Sequence, residues 1–343
     1  MRINRLEDVE KLKTDKDRLF FSAQHDEIKM GLTTDIYFIK TLEVLRYLKR
    51  EDAVVKAEIF ARRDGVFCGL PEVLNLLKDI DCKVYSLEEG ESFSAKEVVM
   101  RIEGKYTEFG IFETPILGIL ASSSAWATAA RECKQAAGDK PILCFGARHI
   151  HPSVAPVMER AAKVGGADGV SCILAAKILG ISPSGTIPHA AILIAGSTED
   201  VAVAYDKVIP EDSPRIILVD TFKDEAQEAL DVARILKERL QGIRLDTPGE
   251  RGGVTPELVY EVRRRLDLEG FSHVKIFVSG GLYPEKIKIL SEAGADAFGV
   301  GSYISGAPPI DMTMDIKEVD GKPIAKRGRI PGITENKRLK RVK

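Results

Sequence analysis

The sequence predicts an α/β protein in which an irregular β/α barrel follows an N-terminal α+β sandwich domain. Three features predict it. Between residues 53 and 112, short strand-like runs follow one another with a single helical segment among them. From Pro141 onward, short apolar runs alternate with amphipathic helical segments, the pattern of parallel strands joined by helical crossovers. Nearly every one of these later runs ends in a glycine or a reactive polar residue.

In the first region the strand-like runs are 53–62 (AVVKAEIFAR), 66–69 (VFCG), 82–87 (CKVYSL), 97–104 (EVVMRIEG) and 106–112 (YTEFGIF). The apolar spacing of 70–79 (LPEVLNLLKD) is helical. A long helix is expected from about Pro115 to Ala137, where Gly138-Asp139 stops it. The later strands are expected at Ile142–Phe145, Gly169–Ser171, Gly185–Ile187, Ile216–Val219, Ile243–Leu245, Val274–Val278 and Ala297–Val300, with helices such as Lys223–Leu240 and Pro256–Leu266 between them. About seven units favour a barrel over an open sheet. The expected division is 1–115, completed by the tail 305–343, and a barrel over 116–304.

Composition narrows the function. The chain has 343 residues, and 50 Lys+Arg against 52 Asp+Glu leave a net charge of -2. That balance argues against a nucleic-acid binder working by bulk charge. No run approaches the roughly 18 apolar residues of a membrane span, and the N-terminus is charged rather than signal-like. A soluble, cytoplasmic protein is expected. The five cysteines (Cys68, Cys82, Cys133, Cys144 and Cys172) contain no CxxC pair, and they read as buried free thiols rather than a zinc site. The tail from Lys326 to Lys343 carries eight basic residues against one acid, a solvated extension or a cover on the N-terminal domain.

In a β/α barrel the strand ends converge on the C-terminal face, where barrel enzymes hold their chemistry. The residues falling there are Phe145-Gly146-Ala147-Arg148-His149, Gly166-Ala167-Asp168, Thr186-Ile187-Pro188-His189, Asp220-Thr221, Arg244-Leu245-Asp246, Ser279-Gly280-Gly281 and Gly299-Val300-Gly301-Ser302. The last two glycine-rich turns suit a phosphate, because glycine lets backbone N–H groups approach an anion at a helix start. Arg148 and Arg244 suit a planar carboxylate. Phe145 suits either core packing or stacking on a flat ring. Asp220 and Asp246 suit ribose hydroxyls, Mg²⁺ or a cationic transition state, and Asp220 suits a helix cap equally. His189 suits a base, a metal ligand or a phosphate acceptor, with His149 and His151 as alternatives.

Six blocks in order resemble nicotinate phosphoribosyltransferases: Thr33-Thr34-Asp35-Ile36-Tyr37-Phe38, Phe145-Gly146-Ala147-Arg148, Gly165-Gly166-Ala167-Asp168, Gly185-Thr186-Ile187-Pro188-His189, Val219-Asp220-Thr221 and Arg244-Leu245-Asp246. The resemblance implies transfer of phosphoribosyl from 5-phosphoribosyl 1-pyrophosphate to nicotinate, giving nicotinate mononucleotide and pyrophosphate, a salvage step towards NAD. It implies Phe145 and, from a second subunit of at least a dimer, Tyr37 around the pyridine ring. Arg148, Thr186 and Arg244 would contact substrate, Asp168 would lie beside the base, and Asp246 and Asp220 would serve catalysis. Ser279, Gly280, Gly281, Gly299, Gly301 and Ser302 would hold the ribose 5-phosphate. His189 would take phosphate from ATP, and Mg²⁺ would accompany the pyrophosphate. Two departures stand out: His149 replaces a frequent second arginine, and Thr247-Pro248-Gly249-Glu250 replaces Ser-Gly-Asp after Asp246. No C-terminal cysteine cluster supports a zinc knuckle. The competing readings are quinolinate phosphoribosyltransferase with loss of CO₂, a nicotinamide-specific enzyme, and a non-catalytic nucleotide-sensing barrel.

Overall fold

The computed structural model describes residues 2–15 and 17–343. They form two compact units, Met1–Ala127 with Pro308–Lys343, and Thr128–Ala307. In chain order the strands are β1 (Val54–Ala61), β2 (Gly65–Val66), β3 (Cys82–Ser86), β4 (Ser92–Phe93), β5 (Val98–Lys105), β6 (Ile142–Cys144), β7 (Gly169–Val170), β8 (Ile216–Leu218), β9 (Gly242–Leu245), β10 (Lys275–Ser279), β11 (Ala297–Val300), β12 (Met312–Val319), β13 (Lys322–Pro323) and β14 (Lys340–Arg341).

The first unit is built on an antiparallel sheet in the order β13-β12-β1-β5-β3-β14. Its inward positions are apolar, with Ala57, Ile59, Val84, Met100 and Ile102 fully buried. Segment 106–112, expected as a strand, is instead a helical turn (Tyr106–Phe109) followed by a 3-10 turn (Gly110–Phe112). Phe109, Gly110, Ile111 and Phe112 are all buried, which alternation along a strand cannot provide. A Cβ on Gly110 would stand 2.8 Å from the Tyr106 ring, so glycine is needed for the turn to close.

The basic tail covers this sheet. Asp315 pairs with Lys326 at 2.6 Å and Arg329 at 2.9 Å. Buried Glu58 accepts hydrogen bonds from Arg101 (2.8 Å) and the Thr334 N–H (2.9 Å). Arg338 reaches Glu97 and Lys340 reaches Glu88. Lys326, Arg329, Arg338 and Lys340 are thus tail cations, each paired with a carboxylate of the first unit.

The second unit carries six parallel strands in the order β7-β6-β11-β10-β9-β8. The helices Ala155–Gly165, Thr198–Val208, Glu225–Leu236, Pro256–Leu268 and Pro284–Glu292 lie between them in sequence. Segment Gly185–Ile187, expected as a seventh strand, is irregular coil. Pro183 and Pro188 flank it and lack the N–H groups a ladder needs. It bridges the gap between β7 and β8 by other means. The Ser184 N–H donates to the Val170 carbonyl at 2.8 Å, and Ile187 packs against Ile192, Val201 and Leu218. The barrel is irregular at this point. Four of the cysteines are buried, Cys172 is partly so, and all five are free.

Glu113, at the start of the 25-residue helix Glu113–Ala137, gives the first unit a testable signature. Burial pushes its carboxyl up to about 7, aided by the negative charge of Asp315 and opposed by the Tyr106 hydroxyl and Lys326. The native state therefore holds a proton that the unfolded chain has released above pH ~4.5. Stability from this group is present at low pH and falls as pH rises towards 7. Glu113→Gln should flatten that fall and raise stability by about 1–3 kcal/mol at pH 8. Thermal melts of both proteins from pH 5 to 8 check this, and parallel curves would contradict it.

Candidate active site

Five strands of the second unit deliver residues to one end of the parallel sheet: β6 leads to Phe145, β8 to Asp220, β9 to Asp246, β10 to Gly280 and β11 to Gly301. The side chains there form a continuous hydrogen-bonded chain. His189 Nε2 lies 2.8 Å from Asp220 Oδ1. The other Asp220 oxygen accepts the Asp246 N–H at 2.6 Å. Asp246 Oδ1 accepts the Ser279 hydroxyl at 2.7 Å, and Oδ2 accepts Arg244 Nη2 at 3.2 Å. Arg244 also donates from Nε to Ser279 Oγ at 2.8 Å and from Nη1 to Thr186 Oγ1 at 2.9 Å. His189, Asp220, Asp246, Ser279, Arg244 and Thr186 are thus one network.

Arg244 is held on all three nitrogens, and its Cζ lies 5.4 Å from the centre of the Phe145 ring. Of the five N–H groups a guanidinium carries, one on each Nη stays uncommitted. Phe145 in turn stacks on Phe277 at 6.1 Å and 24°. Asp220 is almost wholly buried, and burial pushes its carboxyl up against the pull of the Asp246 N–H and His189. It does not cap the following helix: Asp224 does, accepting from the Ala226 and Gln227 N–H groups. Asp220 is left free to orient His189.

The glycine turns divide into two kinds. Gly280 and Gly281 take positive φ values of 89° and 58°, which favour glycine, and both are exposed. A Cβ on Gly301 would lie 2.7 Å from the His149 ring, so this turn also needs glycine. Ser302 begins the short helix that follows. Gly299 and Ser279 depart from the phosphate role expected of them. Gly299 lies within β11, and a Cβ there would stand 2.5 Å from the Phe145 ring, so its absence makes room for that ring. Ser279 ends β10 with its hydroxyl committed to Asp246.

Asp168 is elsewhere. It precedes β7, at the amino end of the strands, and accepts the Ile142 N–H at 2.8 Å and Lys134 Nζ at 3.0 Å. Its own N–H donates to the Ile142 carbonyl. Asp296 does the same before β11, accepting the Ile276 N–H at 2.9 Å and Lys275 Nζ at 3.2 Å. Both aspartates end a Gly-Ala-Asp triplet, at 166–168 and 294–296. The motif is a strand-start clamp, and Asp168 does not reach the site. Arg148 lies beside Phe145 in the 3-10 turn Ala147–His149 and is exposed. Tyr37 lies in the first unit, in the first turn of the helix Ile36–Tyr47, with its side chain exposed.

Three buried glutamates that sequence reasoning passed over hold the loops of the site. Glu159 accepts the Ser171 hydroxyl (2.8 Å) and the Cys172 N–H (2.6 Å) behind β7, and burial pushes its carboxyl up. Glu228 gathers the N–H groups of Thr221, Phe222 and Lys223 after Asp220, and the Thr198 hydroxyl. Glu225 accepts Thr247 and a two-pronged contact from Arg251, fixing the altered segment after Asp246. The signal was available: each is a carboxylate on the apolar side of its helix. Among the described residues, no group of three or more His, Cys, Asp or Glu is placed to hold a metal ion, and no helix is long and apolar enough to cross a membrane.

Residues 35–124 match the family model of the quinolinate phosphoribosyl transferase N-terminal domain, and residues 126–315 match that of the C-terminal domain. A nicotinate phosphoribosyltransferase of Mycobacterium tuberculosis is 33% identical over 248 residues, covering 70% of this chain and 54% of that protein. One from Bacillus subtilis is 33% identical over 228 residues, covering 64% of this chain and 45% of that protein. The chain spans about half the length of these curated relatives. The crystal structure of nicotinate-nucleotide pyrophosphorylase from Pyrococcus furiosus superposes with a TM-score of 0.89 at 46% identity, covering 92% of this chain and 82% of that one. Human nicotinic acid phosphoribosyltransferase superposes with a TM-score of 0.72 at 19% identity, covering 88% and 77%, and shows the fold alone.

The placement of Asp168 is testable without substrate. Asp168→Ala and Asp296→Ala should each lower stability by about 1–2 kcal/mol, the worth of a charge-assisted hydrogen bond to a strand end. Paired thermal melts check it, and an Asp168→Ala protein as stable as the wild type would contradict it.

Proposed function

We propose that this chain, which belongs to the family of quinolinate and nicotinate phosphoribosyltransferases, moves phosphoribosyl from 5-phosphoribosyl 1-pyrophosphate to nicotinate. The products are nicotinate mononucleotide and pyrophosphate. The observation that carries the reading is the Arg244 guanidinium fixed beside Phe145 with Asp246 bonded to it. A flat anionic ring suits the first pair, and a sugar gaining positive charge at C1 suits the carboxylate.

Phe145 offers its ring to the pyridine, and Tyr37 of a second copy closes the other face in at least a dimer. The uncommitted N–H groups of Arg244, with exposed Arg148, receive the base carboxylate. The backbone at Gly280-Gly281 and Gly301-Ser302 takes the ribose 5-phosphate. As the bond from C1 to pyrophosphate breaks, Asp246 stabilises the oxocarbenium-like sugar, and the enzyme's contribution is mainly orientation and electrostatics. Mg²⁺ arrives with the pyrophosphate as part of the substrate, since Asp220 and Asp246 already have partners on both oxygens.

His189 couples the reaction to ATP. A carboxylate accepts from Nε2, so the ring carries its proton there and presents the Nδ1 lone pair as the nucleophile. Nδ1 takes the γ-phosphoryl group of ATP with ADP as the leaving group, and hydrolysis of the phospho-histidine to inorganic phosphate drives base capture. The half-exposed ring and the buried aspartate behind it suit this role.

A second reading has its own support in the quinolinate phosphoribosyl transferase family models. In it the base is quinolinate and CO₂ is released. A nicotinamide-specific reaction lacks this support, because an arginine array favours a carboxylate over an amide.

The test is a mononucleotide-forming assay with nicotinate, nicotinamide and quinolinate side by side, each with and without ATP. Nicotinate should turn over fastest, with ATP stimulation that His189→Ala abolishes while ATP-independent turnover persists. Quinolinate turnover with CO₂ release would replace this reading with the second. No product from any base would overturn both.

A further inference from the structure

Ser279 was expected at the phosphate, yet the residue is 2% exposed and its hydroxyl is committed to Asp246. Its hydroxyl has one hydrogen. That hydrogen goes to Asp246 Oδ1 at 2.7 Å, since the alternative Leu245 carbonyl lies at 3.5 Å. Its oxygen accepts Arg244 Nε–H at 2.8 Å. Arg244 Nη2 then closes a ring by reaching Asp246 Oδ2 at 3.2 Å. Three side chains, two from the adjacent strands β9 and β10 and one from the residue after β9, are therefore locked in one cycle.

The cycle fixes two things at once. It sets the guanidinium beside Phe145, and it sets which way the Asp246 carboxylate faces. The next residue, Gly280, packs against the same carboxylate: a Cβ there would lie 3.1 Å from Asp246 Oδ1. A side chain there would press on the carboxylate and would also have to adopt a φ of 89°, which favours glycine.

We propose that Ser279 is a positioning residue, holding Arg244 and Asp246 in their working geometry through the cycle, and that its hydroxyl is not a phosphate ligand. The kinetic part of this inference rests on the phosphoribosyl-transfer reading, and the structural part does not. Loss of the hydroxyl frees a guanidinium edge and a carboxylate oxygen inside the site, so the reacting groups lose orientation while the backbone turn that takes the phosphate is kept.

Ser279→Ala should therefore lower kcat by about ten- to a hundredfold, the effect of losing one hydrogen bond to a charged group. KM for 5-phosphoribosyl 1-pyrophosphate should change less than about threefold, within the range of indirect effects. Ser279→Thr, which keeps the hydroxyl, should recover most of the loss. A raised KM for the donor with kcat intact would make Ser279 a phosphate ligand and overturn the proposal. A lowered melting temperature with kcat intact would make it merely structural and overturn it equally.

A second measurement is independent of turnover. In ¹H–¹⁵N spectra of the full chain, the Arg244 Nε–H, identified by its loss in Arg244→Lys, should be protected from solvent exchange. Ser279→Ala should abolish that protection. Protection that persists in Ser279→Ala would contradict the cycle. If no base yields a mononucleotide, the reaction assignment fails and this spectrum still decides the role of Ser279.

Discussion

A guanidinium bonded on all three of its nitrogens is the constraint on which the rest of the site depends. Arg244 can swing neither toward solvent nor into the barrel, because Thr186, Ser279 and Asp246 each hold one nitrogen. These partners come from three separate stretches of chain. Thr186 lies on the irregular segment that replaces a strand, Ser279 ends β10, and Asp246 follows β9. The break in the sheet between β7 and β8 is thus used: a regular strand there would commit its backbone to a ladder, whereas the coil brings the Thr186 hydroxyl to the arginine.

Holding loops in this way requires buried anions, and the barrel supplies them from its helices. Glu159, Glu225 and Glu228 each sit on a helix behind the strands and collect donors from a strand-end loop. A buried carboxylate that accepts several N–H groups is tolerated where an isolated one is not. The opposite end of the strands uses a simpler device, the Gly-Ala-Asp clamps at Asp168 and Asp296, which tie strand starts together. One end is thereby held by aspartates that accept strand-start N–H groups, and the other by helix glutamates that accept from the loops carrying the functional groups.

The alternation of apolar runs and helices was enough to locate six parallel strands, because strand-helix periodicity is a local property. It was also enough to bring Phe145, Asp220, Arg244 and Asp246 to one end of the sheet, because they end or follow strands, and His189 with them, although the segment before it is coil. The misreadings arose where tertiary contacts outweigh local pattern. Segment 106–112 alternates like a strand but buries four consecutive residues as turns. Gly185–Ile187 is apolar enough for a strand, but its flanking prolines deny it a ladder. Asp168 was misplaced because a Gly-rich stretch ending in Asp was read at the carboxyl end of a strand. Its second copy at Asp296, visible in the sequence, marks a structural motif instead. Ser279 and Gly299 were read as turn residues because strand ends cannot be located to one residue by pattern.

On the proposed function, the base-facing array is complete before substrate arrives. A crystal structure with nicotinate and 5-phosphoribosyl 1-pyrophosphate bound tests it most directly. The pyridine ring is expected on Phe145, its carboxylate on the two uncommitted N–H groups of Arg244, and the 5-phosphate on the Gly280 and Gly301 turns. Arg244 should keep its bonds to Thr186, Ser279 and Asp246 throughout. An Arg244 that leaves those partners to reach the substrate, or a ring bound away from Phe145, would contradict it.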